Sequence, residues 1–421
     1  MNLLAYAEKT LHQPISDLPL GPVDFCLLNE LAYLPFDALA AYHGGFEQGI
    51  SLAQLNQEFK NDKSLRANWF LATPQRLKLL ELMALSNRFS SVRLSKYRAL
   101  QDQEEEVQFA ALTLVIPGVL RQIIFRGTDD SLVGWQEDFH LASQDDIPAQ
   151  SLALRYLTQA LRVPSLVPTI VSGHSKGGHL AIYAASRLED PGLQDELDRV
   201  LAFDSPGFAS AFLEDAGYQR LLPKIHEYLP VDSQVGRLMF KSHPRTFIAS
   251  GSFGIMQHSI FYWRADEEAG DFQRVEAASK NSDRLERVIH SWLDRHSSDE
   301  IRLVVDTCFG LAMGQGYSSL LDVGQNFLSF VQTMREAAKT LDPQTAQTVQ
   351  DALGDFVVLW RQDARESQEG DESARLPLPS ASQLAAALPL PSASQLAGSL
   401  PKLPRLRPVR PVSEESAQAP E

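Results

Sequence analysis

Residues 173–178 read Gly-His-Ser-Lys-Gly-Gly, and their flanks indicate the class of fold most directly. The apolar segment PTIVS (168–172) predicts a buried β-strand, and GGHLAIYAAS (177–186) predicts a helix. A Gly-x-Ser-x-Gly turn between a strand and a helix is tight, and its glycines let the two elements approach without side-chain clashes. Such a turn lifts the hydroxyl of Ser175 above the sheet, beside the free N–H groups of the helix N-terminus. Ser175 is therefore the candidate nucleophile.

Strand patterns continue on both sides of this turn. Three strand-like segments joined by short turns precede it and predict an antiparallel meander. Strands that alternate with helices follow it, which favours a parallel sheet with crossover connections. The predicted strands are residues 93–100, 107–115, 119–125, 168–173, 199–204, 225–231 and 246–250. The sequence therefore predicts an α/β fold with a mixed, mostly parallel central sheet, of which the meander forms one edge.

The chain divides into four predicted parts. Residues 1–90 form a helical segment that packs on a core at 91–300, and residues 301–365 form a C-terminal helical cap or subdomain. Residues 366–421 are rich in proline, repeat LPLPSASQLA at 376–385 and 388–397, and are expected to be extended and disordered.

A serine hydroxyl needs a base, normally a histidine that a carboxylate orients, and in this architecture the acid and then the histidine follow the serine along the chain. Asp204 and Asp232 each follow one of the next two predicted strands. Asp232 is preferred as the acid, and Asp204 is the alternative acid. If Asp232 is the acid, Asp204 has a structural role in the turn before Ser-Pro-Gly. His258 lies in the loop beyond the next strand and is the preferred base, because His243 precedes that strand and approaches from the wrong end of the sheet.

Acyl transfer also needs N–H donors that face the developing oxyanion. The main-chain N–H of Lys176, directly after the nucleophile, is one candidate. The segment Phe125-Arg126-Gly127-Thr128 closes an earlier strand, and Thr128 is the second candidate through its N–H and its hydroxyl. The alternative for this segment is an ordinary Gly-Thr turn with Arg126 in a surface ion pair.

The composition excludes several classes of function. A net charge of −15 opposes binding to phosphate backbones, so no nucleic-acid partner is expected. The two cysteines, Cys26 and Cys308, lie far apart within apolar runs and are expected to be buried free thiols. No metal or organic cofactor is expected. The N-terminal sequence lacks the features of a signal peptide, and no apolar run is long enough to span a bilayer, so the expected location is cytoplasmic.

Several of these segments together resemble a known family. IIFRGTDDSLVGWQEDF (123–139), VSGHSKGGHLAIYAA (171–185), FDSPGF, VDSQVG and MQHSIFYW are similar to a bacterial group of lipase-like proteins that is distantly similar to the class 3 (fungal-type) lipases. DFCLLNELAYLPFD (24–37) shares the resemblance, which covers roughly residues 20–310. It implies an α/β-hydrolase fold with Ser175, Asp232 and His258 as the triad and with Thr128 and Lys176 as the oxyanion hole. Lys176 departs from the apolar residue that often follows the serine in class 3 lipases.

The sequence thus predicts a serine hydrolase that cleaves a carboxylic ester, either a lipid or a small molecule, through an acyl-enzyme on Ser175. The alternative is a catalytically silent binding or scaffold protein with the same fold. The basic, proline-rich segment at 401–412 is a candidate for weak contact with a protein or an anionic membrane surface.

Overall fold

The computed structural model describes residues 1–66, 72–102, 107–128, 132–141, 147–266, 270–317 and 327–369. The chain divides into two compact units, residues 1–366 and residues 367–421. The boundaries predicted at 90/91 and 300/301 fall inside the first unit and stay predictions. The predicted disordered tail lies, apart from its first four residues, outside the described residues.

The central sheet contains every strand that the sequence predicts. Its strands are β1 (Ile50–Ser51), β2 (Arg93–Asp102), β3 (Val107–Ile116), β4 (Leu120–Phe125), β5 (Thr169–His174), β6 (Leu197–Phe203), β7 (Ile225–Pro230) and β8 (Arg245–Ile248). The sequence did not predict β1, because two residues carry no periodicity.

The helices lie before, between and after these strands. In the described residues they are α1 (Leu3–Thr10), α2 (Pro22–Glu30), α3 (Asp37–Tyr42), α4 (Leu52–Asn61), α5 (Thr73–Leu85), α6 (Leu132–His140), α7 (Pro148–Leu161), α8 (Lys176–Ser186), α9 (Pro191–Asp195), α10 (Ala216–Leu221), α11 (Lys280–Leu293), α12 (Ser298–Gly314), α13 (Phe327–Ala337) and α14 (Pro343–Glu369). None of the helices in the described part of the chain is both long and apolar enough to cross a membrane.

The eight strands lie side by side in their order along the chain. The pairs from β1 to β4 are antiparallel, and the pairs from β4 to β8 are parallel. The predicted mixed, mostly parallel α/β sheet with an antiparallel edge is therefore confirmed. The carboxyl ends of β4 to β8 share one edge, which is where functional side chains collect in such sheets.

Each face of the sheet is covered by a different set of helices. Neighbouring residues of one strand belong to different cores: Val171 and Ala202 pack with α7 and α8, whereas Ile170 and Leu201 pack with α1, α2 and α5. Strands in sequence order with crossovers of one hand place their connecting helices on a single face. The N-terminal helices therefore supply the layer on the other face.

The C-terminal helices contact the core near the strand ends. α12 packs against α6, where Nε2 of His140 lies 2.7 Å from Oδ1 of Asp306. α14 packs against α11, where the guanidinium of Arg284 lies 4.1 Å from the ring centre of Trp360. α6 is the first helix after the Phe125–Thr128 segment, so its contact with α12 connects one C-terminal helix to the candidate oxyanion region.

Candidate active site

Ser175 occupies a strained turn between β5 and α8. Its backbone angles are φ 58° and ψ −134°, a conformation that a residue with a side chain rarely adopts. The flanking glycines are required by close approach, since a Cβ on Gly173 would lie 2.0 Å from the carbonyl carbon of Gly177. A Cβ on Gly177 would lie 2.1 Å from the carbonyl oxygen of Phe125. The turn predicted from sequence is therefore present, and it brings Ser175 beside the end of β4.

His258 lies beside the residue that precedes this serine. It ends a 3₁₀ turn, Gly254–His258, in the loop after β8. Its ring stacks on the ring of His174 with 4.5 Å between the centroids, and its Nδ1 lies 2.7 Å from Oδ2 of Asp204. Because a carboxylate only accepts, Nδ1 carries the proton and Nε2 is left as the basic nitrogen.

Asp204 directly follows β6, the strand next to the one that carries Ser175. Its side chain is buried and its φ is 47°, a left-handed conformation that aspartate tolerates better than most residues. Besides His258, its carboxylate accepts hydrogen bonds from Oγ of Ser233 and from the N–H of Gly236 at 3.1 Å. These donors fix the orientation of the carboxylate toward His258.

Of the two candidate acids, the structure places Asp204, and not the preferred Asp232, against His258. Asp232 follows β7, two strands from β5, whereas the ring of His258 lies over the end of β5. The carboxylate of Asp232 instead accepts from Oγ of Ser279 and from the N–H of Gly254 at 3.1 Å. Asp232 thereby anchors the turn that carries His258, and Asp204, the alternative acid, contacts the imidazole.

A second buried network holds the loop of Asp204. Glu227 on β7 accepts from Oγ of Ser205 at 2.8 Å, from Nζ of Lys241 at 2.5 Å and from Nε2 of His243 at 3.0 Å. Burial acts to raise the pKa of Glu227, but Lys241 and His243 outweigh it and lower the pKa to about 2. His243 is thus a buried structural residue.

The predicted oxyanion segment lies against the serine. A Cβ on Gly127 would lie 3.0 Å from Cβ of Ser175, so the two backbones are in contact. Oγ of Thr128 donates to Oδ2 of Asp138 on α6 at 2.5 Å, which directs this hydroxyl to a carboxylate. The main-chain N–H groups of Thr128 and Lys176 stay the proposed oxyanion donors.

The side chain of Lys176 forms a buried ion pair. It is fully buried, and its Nζ lies 2.6 Å from Oε2 of Glu137 and 3.6 Å from Oδ1 of Asp138. Burial raises the pKa of Asp138 to about 6 despite the charge of Lys176. The polar side chain after the serine therefore contacts α6, the helix next to the Thr128 segment, and is not exposed to solvent.

Several residues near the candidate site were not predicted from the sequence. Glu30, Tyr33, Glu137 and Asp138 all lie within a few ångströms of the predicted site residues or their neighbours. They lie in the segments 24–37 and 123–139, which carry the family resemblance, but the residue pattern there does not indicate that these side chains reach the turn of Ser175. The sequence indicates His174 only as a member of the Gly-His-Ser-Lys-Gly-Gly turn, although its ring contacts that of His258.

Low pH is expected to destabilise the protein through His179, a buried histidine of α8. Nδ1 of His179 lies 2.8 Å from the carbonyl oxygen of Gly207 and Nε2 lies 2.8 Å from the amide nitrogen of Gln150, a pattern that suits only the neutral ring. Burial lowers its pKa from 6.5 to about 3. The unfolded chain therefore binds a proton below pH ~6.5 that the folded chain does not, and stability falls as the pH falls.

Urea unfolding of the wild type and of His179→Gln measures this effect. Between pH 6.5 and 5.5 the wild type should lose about 1 kcal/mol more free energy of unfolding than the variant. Asp138 has the opposite effect on the pH dependence of stability, since its raised pKa makes the folded state bind the additional proton below pH ~6. This effect is present in both proteins and cancels in the difference between them. If the free energy of unfolding changes equally with pH in the two proteins, the assignment of a neutral His179 is wrong.

No curated protein matches this chain. Among solved structures, a fungal lipase–inhibitor complex is 16% identical, with a TM-score of 0.31 over 48% of this chain and 82% of that one. The native Rhizomucor miehei lipase–propeptide complex is also 16% identical, with a TM-score of 0.29 over 48% of this chain and 70% of that one. These TM-scores indicate a distant likeness.

The family comparison is more direct. Residues 83–310, more than half of the chain, match the family described as Mbeg1-like. The match spans β2 to β8 and includes Ser175, Asp204 and His258. The bacterial grouping that the sequence suggested stays a prediction. The chain belongs to the Mbeg1-like family.

Proposed function

We propose that this chain is a serine hydrolase that cleaves a carboxylic ester through an acyl-enzyme on Ser175. The observation that carries the proposal is the buried carboxylate of Asp204, 2.7 Å from Nδ1 of His258, at the strand edge where Ser175 occupies its strained turn. Membership of the family supports a lipase-like hydrolase at the level of the family.

The reaction proceeds in two steps. Nε2 of His258 takes the proton of Ser175 as Oγ bonds to the ester carbonyl carbon, and Asp204 stabilises the imidazolium. The N–H groups of Thr128 and Lys176 bind the oxyanion, and His258 then gives the proton to the leaving alkoxide as the C–O bond breaks. In the second step water, deprotonated by His258, attacks the acyl-enzyme, and the acid and the free serine are released.

The surface beside His258 supports an ester with an apolar acyl group as substrate. Phe253, Ile255 and Met256 lie on the same turn as His258, and each is at least half exposed. By contrast, Phe208 and Phe212 are buried, and Phe208 stacks on His179 of α8, so they are core residues and do not line a pocket. The cytoplasmic location stays a prediction.

A fluorophosphonate probe tests the proposal, because it phosphonylates only an activated serine. The wild type and Ser252→Ala, which alters a serine of the His258 loop, should be labelled, and Ser175→Ala should not. If wild type is labelled, the unlabelled enzyme is then assayed with p-nitrophenyl esters of increasing chain length. Equal labelling of wild type and Ser175→Ala would place the nucleophile elsewhere. Failure to label folded wild type would favour the catalytically silent alternative.

A further inference from the structure

One buried hydroxyl joins two loops of the proposed active site. Tyr33 ends the 3₁₀ turn Leu31–Tyr33 that follows α2, in the layer outside the region matched by the family. Its hydroxyl accepts a hydrogen bond from the N–H of Gly127 at 2.9 Å and donates to the carbonyl oxygen of His174 at 3.1 Å. The oxyanion segment and the nucleophile turn are thus bridged by a residue that is remote from both in sequence.

The three parts meet without a gap. A Cβ on Gly127 would lie 2.5 Å from the hydroxyl of Tyr33 and 2.5 Å from the carbonyl oxygen of His174. The segment can approach the serine this closely only because residue 127 is glycine and because the tyrosine oxygen satisfies its N–H. The hydrogen bond therefore fixes the distance between Thr128, the next residue, and Ser175.

Tyr33 is itself held firmly. Its side chain is 4% exposed, and the guanidinium of Arg76 lies 4.6 Å from its ring centre. Arg76 is in turn fixed by Glu30, with Nε 2.7 Å from Oε2. Burial raises the pKa of Tyr33, so the hydroxyl keeps the proton that it donates to His174.

The connection extends to the loop of the base. Nε2 of His174 lies 2.8 Å from the carbonyl oxygen of His258, which can only accept, so this nitrogen carries the ring proton. Burial, followed by the charge of His258, holds the pKa of His174 well below 6.5, so the ring stays neutral. Nδ1 of His174 is then an acceptor, and it lies 3.3 Å from the hydroxyl of Tyr33.

We propose that Tyr33 is a positioning residue that clamps the oxyanion segment to the nucleophile turn. The inference rests on the proposed hydrolase function for its catalytic consequence, but the clamp itself is a property of the fold. It makes the N-terminal helical layer part of the active-site machinery. The group acts through Gly127 and His174 and does not touch the substrate.

The test compares Tyr33→Phe with Tyr156→Phe, which also removes one buried tyrosine hydroxyl with two hydrogen bonds, to Thr113 and to the carbonyl of Lys96. Hydrogen exchange is measured on peptides that cover 125–128. Labelling by the fluorophosphonate is analysed as a maximal rate and a half-saturating concentration. Tyr33→Phe should speed the exchange of Gly127 and lower the maximal labelling rate about tenfold or more, with little change in the half-saturating concentration.

Each outcome decides the inference. Unchanged exchange in Tyr33→Phe relative to Tyr156→Phe would overturn the clamp, whether or not the protein hydrolyses esters. Faster exchange with an unchanged labelling rate would overturn the role of Tyr33 as a positioning residue, because the hydroxyl would then be structural only. If the wild type is not labelled at all, the proposed function fails, while exchange at Gly127 still decides the clamp.

Discussion

Replacing Asp204 by asparagine should lower kcat for ester hydrolysis about 10⁴-fold while KM changes little, as expected when a triad acid loses its charge. The buried carboxylate holds Nδ1 of His258 as a donor. In the proposed mechanism it also stabilises the imidazolium. Asparagine has nearly the same volume and can still accept from Ser233, so the fold should persist. The variant is assayed with p-nitrophenyl butyrate, and its circular dichroism and thermal midpoint are compared with those of wild type.

Asp232→Asn is the matched control. Its side chain lies beside the His258 turn but binds Ser279 and the N–H of Gly254 instead of the imidazole. We expect a loss of about tenfold or less, through looser support of the turn. If Asp232→Asn loses the larger factor and Asp204→Asn remains active, the acid is Asp232 and the proposed role of Asp204 is wrong.

Lys176→Met should lower the free energy of unfolding by about 3–5 kcal/mol. The substitution leaves the carboxylate of Glu137, 2% exposed, without its cation in a site that excludes water. Chemical denaturation with urea at pH 7.5 measures the loss. The main-chain N–H of residue 176 is unaffected, so labelling of the protein that remains folded should persist.

Two further variants separate the buried pair from a general effect of removing lysine. Lys60→Met breaks a pair with Glu81 whose side chains are 46% and 38% exposed, and should cost about 1 kcal/mol or less. Lys176→Met combined with Glu137→Met should recover most of the loss, because an apolar pair is at least as stable there as an ion pair. A single-variant loss no larger than that of Lys60→Met would show that the Lys176 pair contributes little.

The fold could be predicted from sequence because its signals are local. The strand periodicity and the short turns between strands give the sheet, and the Gly-His-Ser-Lys-Gly-Gly turn gives its connection to α8. The strand β1 and the packing of α1, α2 and α5 on the second face could not be predicted in this way. They depend on which apolar surface the crossover helices leave uncovered, a property of the whole sheet.

The site was harder to predict where strand order matters. Asp204 and Asp232 both follow strands, and no pattern in the sequence tells how far over the sheet the His258 loop reaches. That reach is set by its anchors, the ring of His174 and the carboxylate of Asp232. The role of Lys176 was also hidden, because its partners lie on α6, which is separated from it by β5 and α7.

The cover that α1, α2 and α5 give to one sheet face has a practical consequence. The family match begins at residue 83, so a fragment trimmed to 83–310 lacks α1, α2 and nearly all of α5. Ile170 and Leu201, each 1% exposed in the whole chain, would then face water in a broad apolar patch. Such a patch drives self-association. The matched region by itself would therefore aggregate, whereas residues 1–366, which form one compact unit, keep this cover.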